Sequence, residues 1–222
     1  MKQTTEGNTV AYQIRDDYQS TTSAEWYKRQ YATSLRAKIA NRGEQQAFQK
    51  LLRHVPPNQT ILDIACGTGR FIEVLLENGH RVAGVDVSDE MLRFAEREFG
   101  NHEGLITLGE GDAEHLPFDS GSFDGITCIR LYQRVPAQSR QRMLKEVRRV
   151  GRGWAILFFG ISTPWLDIRR RLRNKVARRP NVRYPVTPSD LKRELQEAGL
   201  TPVKQGWAIP FLAEGLLVLV KW

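Results

Sequence analysis

The run Ile61-Leu62-Asp63-Ile64-Ala65-Cys66-Gly67-Thr68-Gly69-Arg70 holds the residues best placed to do chemistry. A short apolar stretch enters a tight turn of small residues, and a helical stretch leaves it. Gly67 and Gly69 permit unusual backbone angles and let a ligand approach the main chain where a Cβ would stand. A helix starting at Arg70 would aim its unpaired N–H groups and positive dipole end at that ligand. Asp86 comes seventeen positions after Gly69 and ends the next apolar run. A carboxylate there can accept both hydroxyls of a ribose. A nicotinamide or flavin dinucleotide would want a third glycine at position 72, where this chain has Ile72. A further stretch, Gly111-Asp112-Ala113-Glu114-His115-Leu116-Pro117-Phe118-Asp119, puts Asp112 at the end of a third apolar run. In an open α/β sheet that end borders the ligand crevice.

Positioning these groups takes alternating strands and helices. The short apolar runs Ile61–Ala65, Arg81–Val85, Leu105–Leu108, Phe123–Ile129 and Trp154–Phe159, bounded by Gly, Asp or Pro, read as strands. Arg70–Asn78, Ser88–Phe99 and Ser139–Val150 read as amphipathic helices between them. Alternation of this kind predicts right-handed βαβ units and a mostly parallel sheet covered on both faces. Upstream, one helix starts near Ser23 with Trp26, Tyr27, Tyr31 and Leu35 at helical spacing. Another, around Glu44–His54, puts Phe48, Leu51, Leu52 and Val55 on one side. Downstream, Thr187-Pro188-Ser189-Asp190 starts a helix that ends at Gly199. Two strands, Thr201–Trp207 and Gly215–Lys221, close the chain as an antiparallel pair. The fold class is α/β: a three-layer, doubly wound, mostly parallel seven-stranded sheet with a C-terminal antiparallel hairpin. Residues 1–42 read as an N-terminal helical segment and candidate lid, and residues 43–222 as the main domain.

Composition narrows the function. The chain has 222 residues, 33 basic against 25 acidic, for a net charge of +8. Eight of the basic residues fall between Arg169 and Arg183 with no acidic one among them. Without that segment the remaining 25 basic residues balance the 25 acidic ones, so the body is neutral. Cys66 and Cys128, the two cysteines, have no metal or redox spacing, and no histidine pair has metal-ligand spacing, so no metal site is expected. The polar first twenty residues carry no secretory h-region, and no run of 18 apolar residues occurs, so a soluble cytoplasmic protein is expected.

The motifs together resemble the class I S-adenosylmethionine-dependent methyltransferases. The resemblance rests on Leu-Asp-Ile-Ala-Cys-Gly-Thr-Gly, then Gly84-Val85-Asp86-Val87-Ser88 with Met91. Gly-Asp-Ala-Glu-His-Leu-Pro-Phe before Ser122-Phe123-Asp124 follows, with Leu144–Val150 as the helix before the fifth strand. It covers about residues 60 to 159 and is closest in kind to the small-molecule and quinone branch. It implies S-adenosyl-L-methionine as cofactor, with S-adenosyl-L-homocysteine as product. The Asp63–Gly69 loop, including Ala65, Cys66, Gly67 and Gly69, would hold the methionine portion, and Asp86 the ribose. Val87 and Met91 would pack on the adenine, Asp112 would accept from its amino group, and the Ala113 N–H would reach a ring nitrogen. Ile129 and Arg130 would border the sulfonium and the acceptor. Two departures stand out: Ala65 occupies a position often glycine, and Tyr132-Gln133-Arg134-Val135 replaces a His-containing stretch.

Methyl transfer from a sulfonium asks mainly for positioning and exclusion of water. A base is needed only where the acceptor must lose a proton, so the catalytic residues stay open. Arg130 and Tyr132 are the acceptor-pocket candidates. Arg130 ends an apolar strand, where a charge wants a partner: an anionic acceptor, the donor's carboxylate, or an internal acid. The basic insertion, residues 165–186, sits near the acceptor site, and Leu166, Ile168, Leu172 and Val176 give it an amphipathic stripe. The stripe favours a solvated or interfacial helix, the latter with peripheral membrane contact; an attractor for an anionic or amphiphilic small-molecule acceptor is the competing reading. Nucleic acid ranks lower, because no aromatic stacking platform accompanies the charge. The rivals are an RNA or protein methyltransferase, a non-catalytic cofactor-binding module and, weakest, a nicotinamide enzyme.

Overall fold

In the computed structural model, residues 35–168, 184–208 and 215–222 are described. The element order is α1 (Leu35–Leu52), β1 (Thr60–Ile64), α2 (Arg70–Glu77), β2 (Arg81–Asp86), α3 (Asp89–Phe99), β3 (Leu105–Glu110) and β4 (Phe123–Cys128). A 3-10 turn at Tyr132–Arg134 leads to α4 (Ala137–Val150), β5 (Gly151–Gly160), α5 (Pro188–Glu197), β6 (Thr201–Trp207) and β7 (Gly215–Lys221). The strands form one seven-stranded sheet in the order β3-β2-β1-β4-β5-β7-β6. β1 to β5 run parallel, while β7 lies antiparallel between β5 and β6. The mostly parallel doubly wound sheet and its terminal hairpin are as the sequence predicted.

Strands buried on both faces explain the continuous apolar runs. On one face, Ile61, Val82, Ile156, Phe158, Leu217 and Leu219 pack beneath α1 and α2. On the other, Leu62, Ile64, Ala155, Leu157, Val218 and Val220 pack beneath α4 and α5. Ser88 caps α3 by accepting from the Met91 N–H, and Thr187 caps α5 by accepting from the Asp190 N–H.

Boundaries differ in places. α1 covers Leu35–Leu52, reaching further toward the N-terminus than the predicted Glu44–His54 helix and ending two residues sooner. β5 starts at Gly151, directly from α4, rather than at Trp154. β3 ends at Glu110, so Asp112 lies two residues beyond the strand, bridged to His115 in a turn. β4 ends at Cys128, which leaves Ile129 and Arg130 just past it. The predicted helix near Ser23 and the basic run 169–183 lie outside the described residues. Among the described residues, no helix is long and apolar enough to cross a membrane.

Candidate functional site: the carboxyl edge between β1 and β4

The chain leaves β1 toward β2 and β3 on one side and meets β4 on the other. Such a switch of direction opens a crevice at the carboxyl ends of the strands. The sequence motifs converge there. Asp63 lies in β1, buried, and its Oδ1 accepts from Thr127 Oγ1 of β4 at 2.6 Å. Burial pushes its carboxyl up to about 7, against the lowering effects of that hydrogen bond and of the Arg70 charge.

The turn after β1 is built from left-handed backbone. Ala65 has φ 56°, Gly67 φ 56° and Gly69 φ 85°. Glycine is common at position 65 in the resembled family because that angle costs other residues; here alanine bears it. Among the described residues, a Cβ on Gly67 would meet nothing within 4 Å, which leaves room beside its backbone. A Cβ on Gly69 would instead stand 2.5 Å from the Phe99 ring, so Gly69 lets α2 pack close to α3. Cys66 is buried, its N–H bonds the Val85 carbonyl at 3.0 Å, and burial raises its thiol pKa. An inert thiol in a tight loop fits those facts.

Asp86 ends β2 and is 9% exposed. Its Oδ2 accepts from the Gly67 N–H at 2.8 Å and its Oδ1 from the Ser88 N–H at 3.0 Å. Burial raises its pKa while these backbone donors hold it down. One carboxylate thus ties the turn after β1 to the turn after β2. Val87 is half-buried and Met91 buried beside it. Asp112 accepts from the Glu114 N–H at 2.9 Å, and Ala113 is buried. Ile129 is buried on the α1–α2 face.

Beyond β4, Arg130 takes φ 69° and pairs with Glu44 of α1. Of the partners considered in the sequence, the internal acid is therefore present. Tyr132 is 1% exposed and stacks on Phe159, ring centroids 5.1 Å apart. Its hydroxyl is buried against the Cys128 thiol without a stronger partner. Gln133 is buried as well, and its Nε2 has no hydrogen-bond partner among the described residues.

The sequence reading missed three charged residues. Glu44, Arg140 and Glu194 are all buried. Arg140 donates through Nε and Nη2 to both oxygens of Glu194, at 2.7 and 2.8 Å. Its Nη1 reaches the Val135 carbonyl at 3.0 Å and the Tyr184 carbonyl at 3.3 Å. It therefore joins the loop after β4, the segment before α5, and α5 itself. A signal was present: each charge falls at helical spacing on an apolar stripe, Glu44 with Ala47, Phe48 and Leu51, Arg140 with Met143, Leu144 and Val147, Glu194 with Leu191 and Ala198.

Known proteins agree with this geometry. Residues 61–152 match the family described as "Methyltransferase domain". A demethylmenaquinone methyltransferase of Symbiobacterium thermophilum is 38% identical over 104 residues, covering 44% of this chain and 40% of that protein. A ubiquinone biosynthesis O-methyltransferase of Coxiella burnetii is 34% identical over 99 residues, covering 45% and 42%. The matched segment thus spans less than half the length of either relative. The solved magnesium protoporphyrin IX methyltransferase of Synechocystis, with S-adenosylhomocysteine bound, shares the fold at a TM-score of 0.79 and 20% identity over 95% of this chain and 99% of that one. Residues 61–152, which hold the loop at the β1/β4 switch, thus match a methyltransferase domain, and the chain shares the fold of a solved methyltransferase.

Proposed function

We propose that the chain transfers the methyl group of S-adenosylmethionine to a small-molecule acceptor by in-line displacement. The observation that carries this reading is Asp86 bound to the Gly67 N–H at the switch point, in a loop where, among the described residues, nothing crowds Gly67. An ionised carboxylate has about four acceptor sites, and Asp86 spends two on Gly67 and Ser88, leaving capacity for a ribose diol. The adenine would lie beside the half-buried Val87 and the turn at Asp112–Ala113. The residues present therefore fit the donor.

When bound, the donor supplies a methyl group on a positively charged sulfur, so no protein group has to activate it. The chain's own part is to hold the donor with the 65–69 turn, Asp86, Val87, Met91, Asp112 and Ala113. Ile129 and the loop after β4 then bound the acceptor side. Bringing the reacting atoms to about 3–3.5 Å and excluding water supplies most of the acceleration such a site can give.

The two relatives named for demethylmenaquinone and ubiquinone biosynthesis support a small organic acceptor. An anionic or amphiphilic character is supported where the chain leaves β5: Trp165 is 67% exposed, Ile168 is exposed beside it, and the eight basic residues of 169–183 follow in sequence. An exposed aromatic group followed in sequence by clustered basic residues also favours contact with an anionic membrane surface. Free, buried Cys66 and Cys128 support a cytoplasmic setting. The test is transfer of radiolabelled methyl into a cell extract, fractionated into RNA, protein, lipid and small molecules. Label is expected in the lipid or small-molecule fraction. Label in RNA or protein would overturn the small-molecule reading, and binding of the donor without any transfer would point to a non-catalytic module.

A further inference from the structure

Gln133 is 2% exposed, and its Nε2 has no hydrogen-bond partner among the described residues. A desolvated N–H left unpaired weakens a fold, so a buried one in a native chain asks for an explanation. The backbone around this amide is fixed on both sides. The Gln133 carbonyl accepts from the Tyr184 N–H at 2.8 Å. Arg140 Nη1 donates to carbonyls on either flank, that of Tyr132 at 3.5 Å and that of Val135 at 3.0 Å. Against the side chain lies Gly160, the last residue of β5. A Cβ there would stand 3.1 Å from Gln133 Cβ and 3.8 Å from its Oε1. Gly160 takes no left-handed angle, so what glycine accommodates here is the close approach of Gln133. The amide thus sits where β4 and β5 end, on the same sheet edge as the methyl-donor loop after β1.

We propose that Gln133 binds the methyl acceptor, donating from Nε2 to an oxygen lone pair of that molecule, such as a carbonyl or a phenolate presents. The inference deepens the small-molecule reading above and rests on it. Nε2 carries two N–H groups, and neither is taken up among the described residues. The clamped backbone and the missing Cβ of Gly160 hold the amide in place, so little ordering is left for the moment of binding. A buried polar group that only the right molecule can pair also discriminates sharply between ligands. Gln133 moves no proton in this account. Its part is to bind the acceptor and orient it toward the methyl group.

The wild type, Gln133→Met and Gln133→Leu are compared by thermal melting, by calorimetric binding of S-adenosylhomocysteine, and by transfer of radiolabelled methyl. The methyl is transferred into a dilution series of the lipid and small-molecule fractions of a cell extract. Both variants remove the N–H groups, with different shapes. Each should melt at or above the wild-type temperature, because an unpaired buried amide has been replaced by an apolar group. Each should bind S-adenosylhomocysteine within about twofold of wild type. Half-maximal labelling should need at least about tenfold more of the fraction. Where one variant fails to fold, the other carries the test. Lowered melting in both would show that the amide is satisfied within the fold, and overturns the inference. Wild-type labelling in a folded variant overturns it too, as does a loss of labelling matched by an equal loss of S-adenosylhomocysteine binding. A wild type that labels neither fraction overturns the small-molecule reading itself, a result seen before any variant is compared.

Discussion

The two sides of the β1/β4 switch are assembled by different means. On the β1–β2 side, backbone N–H groups of Gly67 and Ser88 converge on Asp86, with partners within 19 positions of each other. On the β4–β5 side, side chains far apart in sequence do the joining. Arg140 and Glu194 are 54 positions apart, and Arg130 and Glu44 are 86 apart. A site made of backbone needs small residues at fixed spacing, so a short motif can encode it. A site held by side-chain clamps depends on contacts that only the fold creates. The family match shows the same division: residues 61–152 contain the backbone-built half, while Glu44, Tyr184 and Glu194 lie outside it.

The largest expected effect is on the clamped side. Arg140→Leu leaves Glu194 buried and uncompensated, and should cost about 3–5 kcal/mol in urea unfolding. Pairing Arg140→Met with Glu194→Leu should recover most of that loss, because the isolated charge goes with its partner. A cost below about 1 kcal/mol for Arg140→Leu would mean that the clamp does not hold this side together. On the backbone-built side the loss should fall on binding. Asp86→Ala should weaken S-adenosylhomocysteine about 100-fold, or about 2.7 kcal/mol, by calorimetry. An affinity within about threefold of wild type would remove Asp86 from the donor site.

Asp63 joins the two sides through Thr127, and its titration gives a pH signature. Burial holds its carboxyl at about 7 in the folded chain, against about 3.9 when unfolded. Between those values the folded chain keeps a proton that the unfolded chain has lost. Its contribution to stability therefore falls as pH rises from about 4 to 7 and then levels off. Asp63→Asn should flatten that fall by at least about 1 kcal/mol, seen in unfolding curves at pH 5 and pH 8. An equally steep fall in the variant would assign the titration elsewhere. The smallest effect belongs to Tyr132→Phe. Removing a buried hydroxyl that lacks a strong partner should change stability by less than about 1 kcal/mol, toward greater stability. A marked loss would show that the Cys128 contact matters more than a thiol partner normally does.

These contrasts explain what could be read from the sequence. Strands β6 and β7 fall at the limits the sequence predicts, because the residues that bound a strand are a local signal. Asp63, Gly67, Gly69 and Asp86 stand at the switch point because their spacing is tied to one strand-turn-helix unit. Asp112 is displaced from its strand end because β3 stops at Glu110 and a short turn follows. Arg130 was legible as a charge needing a partner, but Glu44 was not legible as that partner. Its place on an apolar stripe marks it as anomalous, while the neighbour that resolves the anomaly lies just past β4, 86 positions away. The same holds for Arg140 and Glu194.

The claim that the switch-point loop and Asp86 form an S-adenosylmethionine site is tested most directly by titrating the full chain with S-adenosylhomocysteine and, separately, with NADH. The account expects saturable one-to-one binding of S-adenosylhomocysteine, lost in Asp86→Ala, and no binding of NADH. Binding of NADH with none of S-adenosylhomocysteine would contradict it.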